Sequence, residues 1–246
     1  MGVFLIKTHS QRERETYTMT VKVDMKALLE SGAHFGHKTS RWHPKMAEYI
    51  HSRKNGAHII NLEKTVEGFE KALPKITEIV KGGKKILFVD TQKQSKELAK
   101  AAAESVNMPY VTERWVGGTL TNVETVNRQI KKLKDLERRM ESGELKNRYN
   151  KLEVQRFQEE IDLLNTRYGG IKEMSEQPAA IIVLDAVQDK NAIREAITLN
   201  IPVFAICDTN VDPSGVNYVI PGNDNSVKAT ELYLNYFTEA IKEGKK

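Results

Sequence analysis

Short runs of consecutive apolar residues alternate with amphipathic segments along much of the chain. Three of these runs lie within Lys85–Asp90, Ala180–Asp185 and Pro202–Asp208. Continuous apolar runs are typical of strands that are covered on both faces, as in a parallel sheet. Helical spacing of apolar residues follows two of them, over Gln92–Val106 and Asn191–Leu199. Strands that alternate with helices indicate βαβ units, so the pattern predicts an α/β fold with a parallel sheet.

Further helices and strands are predicted around this alternation. Asp24 is typical of a helix cap and predicts a short helix over Met25–Ser31. A longer helix is predicted over Glu63–Lys81, with a kink at Pro74. The remaining predictions are short strands at Pro109–Val111 and Tyr218–Ile220, and a last helix that Asp224 or Asn225 caps and that runs to about Ile241.

A β-hairpin is predicted between the first two helices. Asn55 and Gly56 separate two short predicted strands, Tyr49–Ser52 and Ala57–Leu62, and both residues tolerate the positive φ angles of a tight hairpin turn. The stretch Gly32–His37, which precedes the hairpin, is expected to be irregular. This part of the chain is therefore predicted to consist of loops and one hairpin.

Residues 122–168 carry no strand signal and instead show two series of apolar residues at helical spacing. The first series begins at a capping box, Thr121–Glu124, and the second ends at Gly169. Two such helices, joined by a turn at Ser142–Glu144, predict an antiparallel hairpin with a coiled-coil seam that projects from the α/β body. Its outer face is either a solvated surface or a contact for RNA or a partner protein. That face carries the basic residues Arg128, Lys131, Lys132, Lys134, Arg138 and Arg139.

These signals divide the chain into three parts. An α/β core is predicted over residues 20–121 plus 171–246, with the coiled-coil hairpin inserted over 122–170. Residues 1–19 are expected to form a disordered or loosely docked tail. Their apolar piece, Val3–Ile6, is shorter than the roughly 7–15 residues of a secretory signal. Met19 is considered as an alternative start.

Composition adds a weak preference for an acidic partner and excludes two classes of protein. The 246 residues include 38 Lys+Arg and 33 Asp+Glu, which gives a net charge of +5. No apolar run approaches the roughly 18–20 residues of a membrane-spanning helix. The single cysteine, Cys207, excludes a disulfide framework and a four-thiolate zinc site, and it fits a reducing compartment.

A parallel α/β sheet raises the expectation of a nucleotide-binding enzyme, but the sequence lacks the glycine-rich phosphate loops of such enzymes. The segment that comes nearest is Gly117–Asn122, which follows a strand and opens a helix. Free backbone N–H groups there, with Arg114 and an exposed Trp115, suit a phosphate and a stacked base or ribose. Alternatively, the glycines only allow tight packing and the tryptophan belongs to the core.

The titratable residues give little support to catalysis or to metal binding. Histidines recur between residues 34 and 58, but no thiolate accompanies them and the intervening residues are basic, so no metal site is expected. Cys207 ends an apolar strand and is expected to be buried. Asp90, Asp185 and Asp208 lie at strand ends, where they serve either as caps of helices and turns or as catalytic groups.

A short window of the chain combines cations with an aromatic residue, and only Glu48 opposes their charge. Cations interleaved with an aromatic side chain suit phosphate contact together with stacking. The alternative is a solubilising surface. The window contains Lys38, Arg41, Trp42, His43, Lys45, Arg53 and Lys54.

Several motifs follow one another in a fixed order from about Met25 to Gly244. The first are Gly32–His37 with Arg41–Met46, and then Arg114–Asn122. The later ones are Gly169–Lys172, Pro178–Asp185 with Glu195 and Asn200–Pro202, Asp208–Pro213, and Ile220–Asp224. Together they resemble the signatures of the small-subunit ribosomal protein two family, in its bacterial or organellar form. His43 departs from the family, which usually has asparagine at that position.

The resemblance implies a flavodoxin-like α/β core with an inserted coiled-coil hairpin. It also implies a non-enzymatic structural protein of the cytoplasmic small ribosomal subunit, which binds rRNA and helps to dock ribosomal protein one, the large mRNA-binding protein. No cofactor, metal, membrane contact or homo-oligomer is expected. The residues expected to contact RNA are Lys38, Arg41, Trp42, His43, Lys45, Arg53, Lys54, Arg114, Trp115, Gly117, Gly118, Thr119 and Asn122.

Two rival interpretations stay open at this point. One is a cofactor-using α/β enzyme that holds its ligand at Gly117–Asn122. The other is an adaptor outside the ribosome that binds a protein partner through the helical hairpin.

Overall fold

The computed structural model describes residues 21–174 and 176–246, so the predicted tail over 1–19 and the alternative start at Met19 lie outside the described residues. The helices are α1 (Met25–Glu30), α2 (Leu62–Lys81), α3 (Lys96–Ser105), α4 (Val123–Glu141), α5 (Glu144–Arg148), α6 (Lys151–Tyr168), α7 (Lys190–Thr198) and α8 (Val227–Gly244). The strands are β1 (Phe35–Lys38), β2 (Ile50–Lys54), β3 (Ala57–Ile60), β4 (Ile86–Val89), β5 (Tyr110–Val111), β6 (Ala180–Val183), β7 (Val203–Cys207) and β8 (Tyr218–Pro221). Short 3₁₀ turns lie at Thr39–Arg41, Pro44–Tyr49 and Gly169–Ile171. Among the described helices, none combines the length and the apolar character needed to cross a membrane.

Five strands form a parallel sheet in the order β5-β4-β6-β7-β8. Numbered among themselves in chain order, they run 2-1-3-4-5, which is the order of the flavodoxin-like fold. The central strands β4, β6 and β7 are buried along their whole length, as their unbroken apolar sequences predict. The predicted flavodoxin-like α/β class is confirmed.

Alternate residues of the central strands point to opposite faces of the sheet, and each face has its own helices. Ile86 and Phe88 of β4 belong to an apolar cluster with α2, α3 and α8. Leu87 and Val89 of the same strand belong to a second cluster with α4, α6 and α7. Because helices cover both faces, a partner meets this sheet at its edges or at the loops that follow its strands.

The segment predicted as a helical hairpin comprises α4 and α6, joined by the short helix α5 that the pattern did not predict. α4 starts one residue later than predicted, because the side chain of Asn122 rather than Thr121 caps it and accepts from the N–H of Thr125. α4 packs on α6, and Leu133 and Leu164 join the same apolar cluster as the sheet. The antiparallel coiled-coil geometry and the domain boundaries at 122 and 170 stay predictions.

A second, smaller sheet has the order β1-β3-β2. The hairpin between β2 and β3 turns at Asn55 and Gly56, whose φ angles of 52° and 76° suit a tight turn, as predicted. The prediction that Gly32–His37 is irregular is correct for residues 32–34, which form a turn, and wrong for residues 35–37, because β1 pairs with β3. Gly36 permits this strand, since a Cβ there would lie 2.7 Å from Cγ2 of Thr209 in the loop after β7.

Two helices differ in detail from their predictions. α2 begins at Leu62, one residue earlier than predicted, and continues to Lys81, whereas the kink at Pro74 stays a prediction. α8 is capped by Ser226, whose hydroxyl accepts from the N–H of Ala229, and not by Asp224 or Asn225. The side chain of Asp224 is buried instead, at the carboxyl end of the sheet.

Candidate nucleic-acid interface

Most of the predicted RNA-binding cations lie on the small sheet and on the loop that follows β1. Lys38 ends β1, whereas Arg53 and Lys54 end β2, and all three side chains are exposed. The N–H of Thr39 donates to the carbonyl oxygen of Gly56, which holds this loop against the hairpin turn. We name this region the basic loop surface. It consists of the exposed residues Lys38, Arg41, Lys45, Arg53 and Lys54.

Trp42 is half-buried under the basic loop surface. Its ring centroid lies 5.4 Å from that of His58, and the guanidinium carbon of Arg53 lies 5.8 Å from the centroid of the Trp42 ring. Such a cation–π pair contributes about 0.5–1 kcal/mol at an exposed site. Trp42 therefore positions Arg53, and stacking of Trp42 on an RNA base stays a prediction.

His43 and Lys45 are already hydrogen-bonded within the protein. His43 caps the turn that follows it by accepting from the N–H of Lys45 at 3.3 Å. The ammonium group of Lys45 donates to Asp212 Oδ1 at 3.2 Å and to Ser214 Oγ at 2.5 Å. Hydrogen bonds from Ser214, followed by that from Lys45, lower the pKa of Asp212 to about 2. A phosphate that meets Lys45 therefore also meets an ionised carboxylate.

The loop Gly117–Asn122 does hold an anion, but that anion is a carboxylate of the chain itself. Glu195 of α7 accepts from the N–H groups of Gly118 at 2.8 Å and Leu120 at 3.0 Å. The indole N–H of Trp115 donates to the same carboxylate at 3.0 Å. Burial raises the pKa of Glu195, but these hydrogen bonds outweigh the effect and the pKa lies below its usual range.

The prediction of free N–H groups and an exposed tryptophan at this loop is therefore wrong, and the alternative of a tightly packed turn is correct. Trp115 is 9% exposed and belongs to the core. Thr119 is buried, with its hydroxyl donating to the carbonyl oxygen of Val116. Gly118 adopts a φ of 91°, which favours glycine. The exposed members of the predicted set in this segment are Arg114, Gly117 and Asn122.

Sequence reasoning placed Glu195 in a family motif but missed its function in the loop. One signal was available in the pattern of α7. Glu195 lies between Ile193 and Ala196, both of which are buried, so a charged residue borders the apolar face of an amphipathic helix. A carboxylate at such a position needs strong hydrogen-bond donors.

The crevice in which flavodoxin-like folds bind their ligands is filled by side chains of this chain. That crevice lies beyond the carboxyl ends of the strands where the strand order reverses, here between β4 and β6. Asp189 accepts from the N–H of Thr91 at 3.1 Å and from its hydroxyl at 2.8 Å. Burial raises the pKa of Asp189 to about 7 and that of Asp90 to about 6. Buried carboxyl groups at this position disfavour an anionic cofactor.

The other residues considered for catalysis have structural surroundings. Oδ1 of Asp185 accepts from the N–H groups of Val187 and Gln188, as expected for a cap. Cys207 is fully buried, and burial raises the pKa of its thiol. Asp208 lies beside His37, with 2.7 Å between Oδ2 and Nδ1, and this hydrogen bond raises the pKa of His37.

The fold and the site together define a flavodoxin-like α/β protein that has a filled ligand crevice and an exposed basic surface on its loops. A model of the family described as ribosomal protein S2 matches residues 28–244. The chain belongs to the ribosomal protein S2 family.

Individual relatives cover nearly the whole chain. The small ribosomal subunit protein uS2 of Oleidesulfovibrio alaskensis is 44% identical over 222 residues, which are 90% of this chain and 85% of the relative. The protein of the same name from Pasteurella multocida is 46% identical over 224 residues, 91% of this chain and 93% of the relative. The one from Actinobacillus pleuropneumoniae serotype 5b is also 46% identical, over 91% of this chain and 94% of the relative.

Proposed function

We propose that this chain binds small-subunit rRNA through the basic loop surface and helps to dock ribosomal protein one. As a member of the ribosomal protein S2 family, it is a structural and non-enzymatic component of the small ribosomal subunit in the cytoplasm. The proposal adds the two binding partners, rRNA and ribosomal protein one, and the surfaces of this chain that bind them.

The observation that carries the RNA proposal is the clustering of exposed cations on rigidly held loops. Arg53 and Lys54 are fixed by their pairing with β3, and Lys38 by the hydrogen bond that follows it. Lysine and arginine side chains bind RNA mainly through phosphate groups, and the shape of the loop surface then selects the RNA fold. Arg114 is a further proposed phosphate contact, presented by the loop that Glu195 holds.

Salt dependence of binding tests the RNA contact. Small subunits depleted of this chain are titrated with it at increasing salt, and the slope of log affinity against log salt is compared between the wild type and Arg53→Ala. Each lost phosphate contact should reduce the magnitude of the slope by roughly 0.7–0.9.

A matched variant separates local contact from net charge. Lys71→Ala removes one exposed cation from α2 and should leave the slope unchanged. Equal slopes for the wild type and Arg53→Ala would show that Arg53 does not contact RNA. If a variant with Lys38, Arg53 and Lys54 all changed to alanine also had the slope of the wild type, the basic loop surface would be refuted as the RNA contact.

Support for protein docking comes from apolar side chains left exposed at one end of the fold. Leu29 of α1 is 53% exposed and Phe35 of β1 is 53% exposed. The hydroxyl of Ser226, next to the exposed Val227, donates to the carbonyl oxygen of Ser31, which places the start of α8 against the end of α1. Exposed apolar groups that lie together are typical of protein-binding surfaces.

Phe35→Ser tests this docking surface. The change should lower the amount of ribosomal protein one in purified small subunits severalfold, while the amount of this chain stays the same. Leu163→Ser is the matched control, because Leu163 has a similar exposure of 49% but lies on α6. Unchanged content of ribosomal protein one in the Phe35→Ser particles would refute the surface.

A further inference from the structure

An exposed apolar surface lies beside the point where the described chain begins. Met25 and Leu29 are one helical turn apart on α1, so their side chains share a face of that helix. Both are exposed, and so are Phe35 at the start of β1 and Val227 at the start of α8. We name these four residues the apolar end surface.

Backbone contacts bring three elements together at this surface. The N–H of Gly32 donates to the carbonyl oxygen of Leu29 at 3.2 Å, so the chain turns back directly after α1. A Cβ at Gly32 would lie 3.5 Å from Cδ2 of Phe35. The same Cβ would lie 3.8 Å from Oγ of Ser226, which precedes Val227. Exposed apolar groups that lie together in this way indicate that another segment or molecule covers them.

The chain enters the fold next to the apolar end surface. Val21 and Val23 pack against the apolar cluster that includes α8. The N–H of Asp24 donates to the hydroxyl of Tyr236 on α8 at 3.1 Å. The entry of the chain is thus fixed to α8, and α1, which follows it, has six residues and is about 9 Å long. Residues 1–20 are therefore tethered within a short distance of the surface.

The tethered residues contain one continuous apolar run, Val3–Ile6, which the RNA contact does not use. The 14 residues 7–20 separate this run from Val21, and a chain of that length spans at most about 50 Å. The run can therefore reach every part of the apolar end surface. A short tether also gives a local concentration in the millimolar range, so the contacts of four apolar side chains do not need to be strong.

We propose that Val3–Ile6 binds the apolar end surface of its own chain before the chain is assembled into the small subunit. Burial of apolar groups on both partners drives this contact. The tether favours this occupant over a second copy of the chain, which would need a millimolar concentration to compete. One consequence rests on the proposed function: since Leu29 and Phe35 are also the proposed contact for ribosomal protein one, that protein must displace the run when it docks.

Disulfide trapping in the full chain tests the contact. With the combined changes Leu5→Cys and Leu29→Cys, oxidised glutathione should produce a disulfide within one chain, which mass mapping of peptides identifies. Cys207 is fully buried and does not compete for the oxidant. The trapping rate should fall at least tenfold when Phe4→Ser and Ile6→Ser are added, because these changes remove apolar groups and keep the length of the tether.

Changes on the surface provide the matched comparison. Phe35→Ser together with Val227→Ser should slow trapping of the same cysteine pair about as much as the changes in the run. Leu163→Ser should leave the rate unchanged, because Leu163 is exposed on α6 and lies outside the apolar end surface.

Two results would overturn the proposal. Equal trapping rates with and without the apolar groups of the run would show that the tether alone brings the cysteines together. Disulfides formed only between two chains would identify a second copy as the occupant. Neither result depends on ribosomal protein one, so the Phe35→Ser particles test the proposed docking of that protein separately.

Discussion

At the scale of single residues, the carboxylate of Glu195 is the acceptor for several donors of one loop. The indole N–H of Trp115 and the hydroxyl of Thr121 donate to it. Backbone N–H groups also donate to it, from Gly118, Leu120 and Thr121. Hydrogen bonds to a charged group contribute about 1.5–3 kcal/mol each, and a buried donor left without a partner costs about as much. One side chain therefore stabilises the loop together with the hydrogen bonds inside the loop itself.

Glu195→Gln tests this dependence. The amide presents one acceptor oxygen and turns an NH₂ group toward N–H donors, so the free energy of unfolding should fall by about 2–4 kcal/mol. Urea unfolding followed by tryptophan fluorescence measures the change.

The control for this variant is an exposed glutamate. Glu67→Gln removes the same charge from a surface pair with Lys64 and should change the free energy of unfolding by less than about 1 kcal/mol. Equal stabilities of the two variants would contradict the proposed importance of Glu195.

Asp189→Asn should alter the pH dependence of stability. Folding raises the pKa of Asp189 from 3.8 to about 7. The protonated form therefore favours the folded state, and its contribution is complete below about pH 4 and is lost as the pH rises through about 7. Asparagine keeps an acceptor oxygen for Thr91 without this loss. The stability of the variant relative to the wild type should rise by roughly 1.4 kcal/mol for each pH unit between about pH 5 and pH 7, and it should level off above about pH 7.

Urea unfolding of both proteins across this range measures the gain, and Asp212→Asn provides the control. The pKa of Asp212 is lowered to about 2, so its stabilising contribution is complete above about pH 4 and is lost only as the pH falls through 2. Asp212→Asn should therefore change the free energy of unfolding by the same amount at every pH between about 5 and 8. If the difference in the free energy of unfolding between Asp189→Asn and the wild type did not change with pH, the raised pKa of Asp189 would be contradicted.

Single residues also show where sequence reasoning succeeds and where it fails. The exposure of Lys38 and Arg53 follows from local polarity, which the sequence contains. The burial of Trp115 does not, because it depends on a carboxylate 80 positions further along the chain. The contact of Asp208 with His37 likewise requires the pairing of strands that are far apart along the chain.

At the scale of elements, apolar patterning predicted the parallel strands and their helices because both are long and regular. β1 was missed because its sequence, Phe-Gly-His-Lys, has no apolar alternation and contains a glycine. α5 was missed because five mostly polar residues give no periodicity, and Leu145 alone is buried. The pairing of β1 with β3 and the packing of α5 on α4 and α6 supply what local sequence does not.

Leu133→Ala in α4 tests how strongly the α4–α6 segment depends on its apolar seam. Leu133 is completely buried in the cluster that also contains Val89 of the sheet, so its truncation should lower the free energy of unfolding by about 2–5 kcal/mol. Leu163→Ala is the matched control, because Leu163 is 49% exposed on α6. Urea unfolding measures the loss of the free energy of unfolding in each variant. Similar losses in the two variants would show that the apolar seam is not continuous with the core.

At the scale of the whole molecule, helices on both faces of the sheet leave the loops and edges for recognition. The usual ligand crevice contains Asp90 and Asp189, and the loop considered as a phosphate cradle binds the carboxylate of Glu195 from α7. The fold thus positions a basic loop surface, and carboxyl groups of the chain itself occupy both places that were considered for a cofactor. This arrangement favours a scaffold that binds RNA over a cofactor-using enzyme.

Ligand-induced stabilisation distinguishes these two classes. Millimolar ATP or NAD should leave the Tm unchanged, whereas a folded small-subunit rRNA fragment that binds the chain should raise it in a salt-dependent manner. A saturable rise in Tm with either nucleotide would contradict the filled crevice and would favour the enzyme.

The hydrogen bonds to Glu195 have a consequence for folding during synthesis of the chain. Their donors lie 74–80 positions ahead of the acceptor, so they emerge first when the chain is synthesised. At about 5–20 residues per second, several seconds pass before Glu195 follows. During that interval the indole of Trp115 and the N–H groups of its loop have only water or a foreign acceptor to bind, and this face of the sheet is completed late in translation.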